Sequence, residues 1–273
     1  MDAHFVSGPG AMSQPIFFAH ANGFPSATYG KLFAALAPDY TVIHLDRHGH
    51  DPRFPVDDNW LQLVQELLHH LARQAAPVWG VGHSLGGLLH LHAALLAPQF
   101  YRGIVMLDSP LLTRVDRWMI HLAKRLGLID RITPAGRTLG RRDSFADRDS
   151  ARTYFSGKTL FRQFDPECLD AYLDHGLQHA EQGLRLRFDP ATEISIYRTL
   201  PHRLPKPAQH LRLPVAMVRG AQSAVVRPHH GRAVRGLPLG EYHCLPGGHM
   251  FPLERPIDTA SLLKTLFARW GQA

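Results

Sequence analysis

Six short apolar runs, each closed by turn residues, constrain this chain more than any other feature. They are QPIFFA (14–19), YTVIHLD (40–46), PVWGVG (77–82), GIVMLD (103–108), PVAMVR (214–219) and EYHCL (241–245). Runs that are apolar at consecutive rather than alternate positions suit parallel strands covered by helices on both faces. Helical patterns lie between them. Leu61, Val64, Leu68 and Leu71 recur at helical spacing behind Asn59, the expected N-cap. Leu263, Leu266, Phe267 and Trp270 repeat the pattern near the end, where Gly271 is expected to stop the helix. The alternation predicts an α/β fold: a mostly parallel sheet flanked by helices, with right-handed crossovers.

The alternation breaks between 111 and 205. Val115, Trp118, Met119, Leu122 and Leu126 form one helical stripe; Leu169, Tyr172, Leu173 and Leu177 form another, opened by FDP at 164–166. The stretch reads as a helical cap inserted into a core made of 1–110 and 206–273, with the Pro-rich LPHRLPKPAQHLRLP (200–214) as the return. Its aromatics, Trp118, Phe145, Phe155, Phe161, Phe164 and Tyr172, either roof an apolar pocket or pack the cap on itself. Trp118 is the candidate substrate contact.

Composition sets the remaining bounds. With 45% hydrophobic and 19% charged residues, the 273-residue chain can bury a sizeable core as one large domain, or one carrying an insertion. Two cysteines, Cys168 and Cys244, are too few for a disulfide framework. The opening MDAHFVSGPGAMSQP lacks the basic start and apolar centre of a signal peptide. Together these predict a cytoplasmic location. No apolar run approaches the ~18 residues of a membrane span. The net charge of +7 is uneven: −3 over 1–110, +4 over 111–205 and +6 over 206–273. This is either a solvated basic surface or a preference for anionic substrates or carriers. No basic run is interleaved with aromatics as a nucleic-acid platform would be, so nucleic acid is not an expected partner.

One motif carries chemistry. GVGHSLGG (80–87) follows a strand and opens a helix, and within it Gly82-His83-Ser84-Leu85-Gly86 matches Gly-x-Ser-x-Gly. A serine on a sharp strand-to-helix turn exposes its hydroxyl, and small residues two before and two after let the backbone turn without collision. The amide of the next residue, Leu85, then points at an oxyanion forming beside the serine, helped by the helix N-terminus.

Three further stretches appear in a fixed order around this motif: FFAHANGFP (17–25), LDRHGHD (45–51) and PGGHMFPLERP (246–256). With them the chain resembles the α/β-hydrolase superfamily, and in particular members carrying His-Ala-Asn-Gly-Phe-Pro where many have His-Gly. The resemblance covers nearly the whole chain and is specific for the fold, much less so for the substrate. It implies that the loop after His20 supplies the second oxyanion amide, from Asn22 or, with the register moved by one, from Ala21. It makes His20 a structural turn residue. Among 19 histidines it singles out His249, placed after the last strand on a loop that two glycines allow to turn tightly.

The acid is the departure. In many relatives it follows the strand before the histidine strand, but RGAQSAVV (219–226) holds no carboxylate, and Ala224 stands at the aligned position. Asp108, at the end of GIVMLD, is the expected replacement, since some α/β-hydrolases carry their acid there and a carboxylate need only hold the histidine tautomer and stabilise the imidazolium. Alternatively Asp108 only caps the turn at DSP, and the site runs as a dyad or is dead. Asp46 and Glu254 are less well placed.

A serine at the elbow excludes the relatives that use aspartate there, the haloalkane dehalogenases and epoxide hydrolases. The expected function is hydrolysis of a small-molecule ester or thioester with an apolar acyl part, through an acyl-enzyme, with no metal or organic cofactor. Amide or carbon–carbon hydrolysis, acyl transfer to another acceptor, or a binding protein that lost its acid are the alternatives. The oligomeric state is left open.

Overall fold

The computed structural model describes residues 4–6, 14–37 and 39–272. Most of the opening stretch, MDAHFVSGPGAMSQP, lies outside them. The strands, in chain order, are β1 (His4–Val6), β2 (Gln14–Ala19), β3 (Tyr40–His44), β4 (Val78–His83), β5 (Tyr101–Leu107), β6 (Ser144–Phe145), β7 (Leu177–His179), β8 (Leu184–Leu186), β9 (Val215–Gly220) and β10 (Gly240–Leu245). The main helices of the core are α1 (Gly30–Leu36), α2 (Leu61–Leu71) and α3 (Leu85–Leu96). Between β5 and β9 follow α4 (Arg114–Arg125), α5 (Ile129–Ile132), α6 (Ala135–Thr138), α7 (Arg148–Ser156), α8 (Pro166–His175) and α9 (Pro190–Arg198). The chain closes with α10 (Pro228–Arg235), α11 (Phe251–Glu254) and α12 (Pro256–Trp270).

Seven strands form one sheet in the order β1-β3-β2-β4-β5-β9-β10. All pairs from β3 to β10 are parallel; β1, which the sequence pattern did not reveal, adds antiparallel to β3. Every residue of β4 is buried, as expected of a strand covered on both faces. One apolar layer sets Phe18, Trp79 and Leu107 against α1 and α12; the other sets Phe17, Ile104 and Met217 against α2 and α3.

The chain leaves β2 toward β3 on one side, then crosses back to β4 on the other. The carboxyl ends of β2 and β4 therefore flank the point where the winding reverses, where open α/β sheets bind ligands. The residues after β2, β4, β5, β9 and β10 all emerge on this edge.

Two local expectations are corrected. Asn59 does not cap α2: its backbone is left-handed at φ 67°, and its Oδ1 accepts from the amides of His202 and Arg203. Asp57 serves the helix start instead, accepting from the Gln62 amide at 2.9 Å. The 111–205 segment is not purely helical, since β6, β8 and β7 form a small antiparallel sheet within it. Most of its aromatics pack on one another and on Phe24, in the loop after β2. Phe24 lies 5.1 Å from Tyr172 and 5.7 Å from Phe161, centroid to centroid, and Phe155 lies 4.9 Å from Phe161.

Buried histidines make the fold acid-sensitive. Burial lowers the pKa of His90 to about 3 and of His92 to about 4, and drives His20 and His83 well below the ordinary value. Burial disfavours the charged form of these groups, while in the unfolded chain they take up protons below about pH 6.5, so stability should be lost as pH falls through that range. His90 and His92 should each remove about 2 kcal/mol between pH 7 and pH 5, and His20 and His83 act in the same direction. Denaturant melts across that range should show a steadily falling midpoint; a midpoint independent of pH would show that these side chains are not held neutral.

Candidate active site

Ser84 joins β4 to α3 with φ 52° and ψ −109°, a conformation that non-glycine residues rarely adopt. The flanking glycines permit the turn. A Cβ on Gly82 would lie 2.2 Å from the Gly86 carbonyl carbon, and one on Gly86 would lie 2.0 Å from the Ala19 oxygen. Two hydrogen bonds hold the elbow against β5: the Ser84 amide donates to Leu107 O at 2.9 Å, and Ser109 Oγ donates to Ser84 O at 2.6 Å. Leu85 is the first residue of α3, so its amide has no acceptor one turn back in the helix.

Asp108, fully buried, lies 2.6 Å through Oδ2 from His249 Nδ1. Its other oxygen accepts from the Gly220 amide at 2.9 Å, and Ser223 Oγ also donates to Oδ2. The loop after β9 thus supplies donors to a carboxylate on the neighbouring strand instead of a carboxylate of its own. Within that loop Ala224 is exposed, while Ser223 is buried and faces the carboxylate. In the sequence, Ser223 is marked only by its place one position before Ala224, since a lone hydroxyl carries a weaker signal than a carboxylate.

The histidine loop is fixed from three sides. The Gly247 amide donates to Gln222 Oε1 at 2.7 Å, and the Gly248 amide to Glu254 Oε2 at 2.7 Å. His83 Nε2 lies 2.9 Å from the His249 carbonyl oxygen. Because a carbonyl only accepts, His83 carries its proton on Nε2, and Nδ1 accepts from the Tyr29 hydroxyl at 2.7 Å. Tyr29 in turn accepts from the Ala21 amide at 3.3 Å. One relay therefore links the loop after β2, the elbow and the histidine loop. His83 and Tyr29 were not singled out as site residues, because the variable position of the elbow carries no motif signal.

The remaining expected residues divide. Asn22 is at the site edge of β2, where its side-chain amide donates to Glu193 O at 3.0 Å; its own backbone amide has no acceptor among the described residues. His20 is structural, accepting from the His48 amide through Nε2 at 2.7 Å. Asp46 is paired with Arg187 at 2.7 Å. Ser84 Oγ makes no hydrogen bond among the described residues. Trp118 is not gathered with the others: it is 60% exposed and borders a shallow depression with Arg114, Arg117, His121, His202 and Arg203.

Elsewhere, Asp116, His229 and His230 hold potential metal-ligand atoms within 4.8 Å of one another. His230 Nδ1 accepts from the Arg227 amide at 3.0 Å, which leaves the proton on Nε2, the atom facing Asp116. In this tautomer the group is a bridge between α4 and α10 rather than a metal site.

A parallel sheet in this order, with a serine elbow and a carboxylate–imidazole pair on its carboxyl edge, defines a hydrolase of the α/β class. The chain belongs to the alpha/beta hydrolase family, whose profile matches residues 16–262. Among curated proteins it is 34% identical over 102 residues to a pimeloyl-[acyl-carrier protein] methyl ester esterase of Xylella fastidiosa, covering 36% of this chain and 38% of that protein. It is 24% identical over 205 residues to the type I acyl-CoA thioesterase mpaH of Penicillium roqueforti, covering 65% and 44%. The matches thus span less than half of either relative. Among solved structures it resembles E-2-(acetamidomethylene)succinate hydrolase, with TM-score 0.73, 23% identity and coverage of 95% and 92%. It also resembles the thioesterase domain from the curacin biosynthetic pathway, with TM-score 0.72, 17% identity and coverage of 96% and 94%. No helix among the described residues is long and apolar enough to cross a membrane.

Proposed function

We propose that the protein is a serine hydrolase that cleaves an ester or thioester with an apolar acyl part through an acyl-enzyme. The observation that carries this reading is the 2.6 Å contact between Asp108 and His249, beside the Ser84 elbow. The Asp108 carboxylate holds the imidazole proton on Nδ1, so Nε2 is free to take the Ser84 proton as Oγ attacks the carbonyl carbon. The oxyanion forms between the amides of Leu85 and Asn22. The engagement of the Ala21 amide by Tyr29 supports Asn22 over Ala21 as the second donor. His249 then protonates the leaving alcohol or thiol, and water, deprotonated by the same imidazole, releases the acid.

The insertion 111–205 acts as a cap in this reading. Its Tyr172 and Phe161 pack on Phe24, and its Glu193 side chain lies where a Cβ on Gly23 would approach within 3.1 Å. Both contacts hold the loop that carries Asn22. The esterase and thioesterase relatives support carboxylic ester or thioester cleavage over amide or carbon–carbon cleavage.

A fluorophosphonate probe tests the reading directly. Intact-mass and peptide analysis should show one covalent adduct per chain, on Ser84. An unlabelled protein would mark a fold that binds without reacting.

A further inference from the structure

Helix α4 is amphipathic in the reverse sense. Its inward stripe is Asp116, Ile120, Ala123 and Lys124; its outward stripe is apolar, with Val115 at 69%, Trp118 at 60%, Met119 at 51% and Leu126 at 60% exposure. The helix is firmly built, not frayed. Thr113 and Asp116 form a reciprocal capping box, with the Thr113 amide donating to Asp116 Oδ2 at 2.8 Å. The inward side is held by polar contacts: Asp116 lies 3.3 Å from both His229 and His230, and Lys124 bonds Asp58. These contacts hold the apolar stripe toward solvent.

The exposure is concentrated. Six of the eleven exposed large apolar side chains among the described residues lie between 115 and 139, with Ile132 ending α5 and Leu139 directly after α6. Exposed arginines alternate with them, Arg114, Arg125, Arg131 and Arg137. The acids of this stretch are engaged, Asp116 as above and Asp130 with Arg198 at 2.6 Å. A partner must therefore be apolar and anionic at once. Antiparallel pairing of two α4 helices would set Arg114 against Arg125, which favours an anionic lipid surface over a second copy. The depression beside Trp118 places Arg114, Arg117 and Arg203 with two imidazoles around an indole, a setting for a lipid phosphate beside acyl chains.

We infer that α4 is a peripheral membrane-docking helix that seats its Val115–Trp118–Met119–Leu126 stripe in the interface of an anionic bilayer, with the flanking arginines on lipid phosphates. The inference is independent of the chemistry at Ser84, and it concerns docking on a surface, not a span.

Cosedimentation with vesicles tests it. The protein should bind phosphatidylcholine vesicles containing about one-third phosphatidylglycerol far better than pure phosphatidylcholine. Binding should weaken steeply as salt rises from about 0.1 to about 0.5 M. Trp118→Ser/Met119→Ser should lose about tenfold or more in affinity, and Arg114→Ala/Arg125→Ala should lose the preference for anionic vesicles. In the parent protein, which has four tryptophans, brominated lipid should quench part of the emission, and the Trp118→Ser/Met119→Ser change should remove that quenchable part. Ser84→Ala should bind like the parent, so failure here is distinguishable from failure of the hydrolase reading. Absence of binding to anionic vesicles at low salt would overturn the inference. So would vesicle binding that the Trp118→Ser/Met119→Ser change leaves intact, or retention of an acidic protein on this face with no retention of anionic vesicles.

Discussion

Ser84→Ala should lower ester or thioester turnover by about 10⁶, to the residual rate that binding and the oxyanion amides alone sustain. In the proposed mechanism Ser84 and His249 act as a unit, so that removing the nucleophile removes the value of the base. The substitution is structurally mild. Alanine keeps the Cβ that already tolerates φ 52°, and both hydrogen bonds holding the elbow use backbone atoms of residue 84, its amide and its carbonyl. The variant should therefore fold and melt like the parent, and steady-state hydrolysis of a chromogenic acyl ester by purified protein measures the loss. Activity near the parent level would place the nucleophile elsewhere.

Asp108→Asn should cost up to about 10⁴ in turnover with a smaller change in KM. An amide facing Nδ1 can donate to it and stabilise the wrong tautomer, which leaves Nε2 protonated and unable to act as base. The structure gives this variant a second consequence. Asp108 accepts from the Gly220 amide, Ser223 Oγ and His249 together, and an amide cannot accept from all three as a carboxylate does. Some stability loss should accompany the kinetic one, and kinetics below the melting range separate them. The rescue position also follows from burial. Because Ser223 faces the carboxylate and Ala224 faces solvent, Asp108→Ala should be rescued by Ser223→Asp rather than Ala224→Asp. Normal turnover in Asp108→Asn would overturn the role assigned to this residue.

Much of the frame was legible in the sequence because its signals are local. The run 14–19 coincides with β2, and the other five apolar runs overlap parallel strands within two residues at each end. Strands covered on both faces, such as β4, leave this trace in a parallel sheet, whereas the edge strand β10 is only half-buried. The glycines around Ser84 were readable for the same reason, since the spacing needed to avoid the Gly86 and Ala19 backbones spans only a few residues. Strand β1 was missed because three residues pairing at an edge carry no periodic signal.

The site depended on distant contacts. His249 and Asp108 are 141 residues apart, Asp108 and Ser223 are 115 apart, and His83 and His249 are 166 apart. That Asp108 ends a strand was plain in the sequence. That three donors converge on it depends on β5, β9 and β10 lying side by side in that order. Similarly, an apolar stripe at 3.6-residue spacing in α4 was visible, and such a stripe ordinarily faces the core. A helical pattern specifies two faces but not which one is turned inward. His229, His230 and Asp58, brought in from other parts of the chain, bind the polar side of α4 and leave Trp118 in solvent. By itself the sequence determined the strands, the elbow and the inventory of acids and bases. The pairing of Asp108 with His249 and the outward turn of α4 were decided by tertiary structure, because both are set by groups that only the sheet order brings within hydrogen-bonding range.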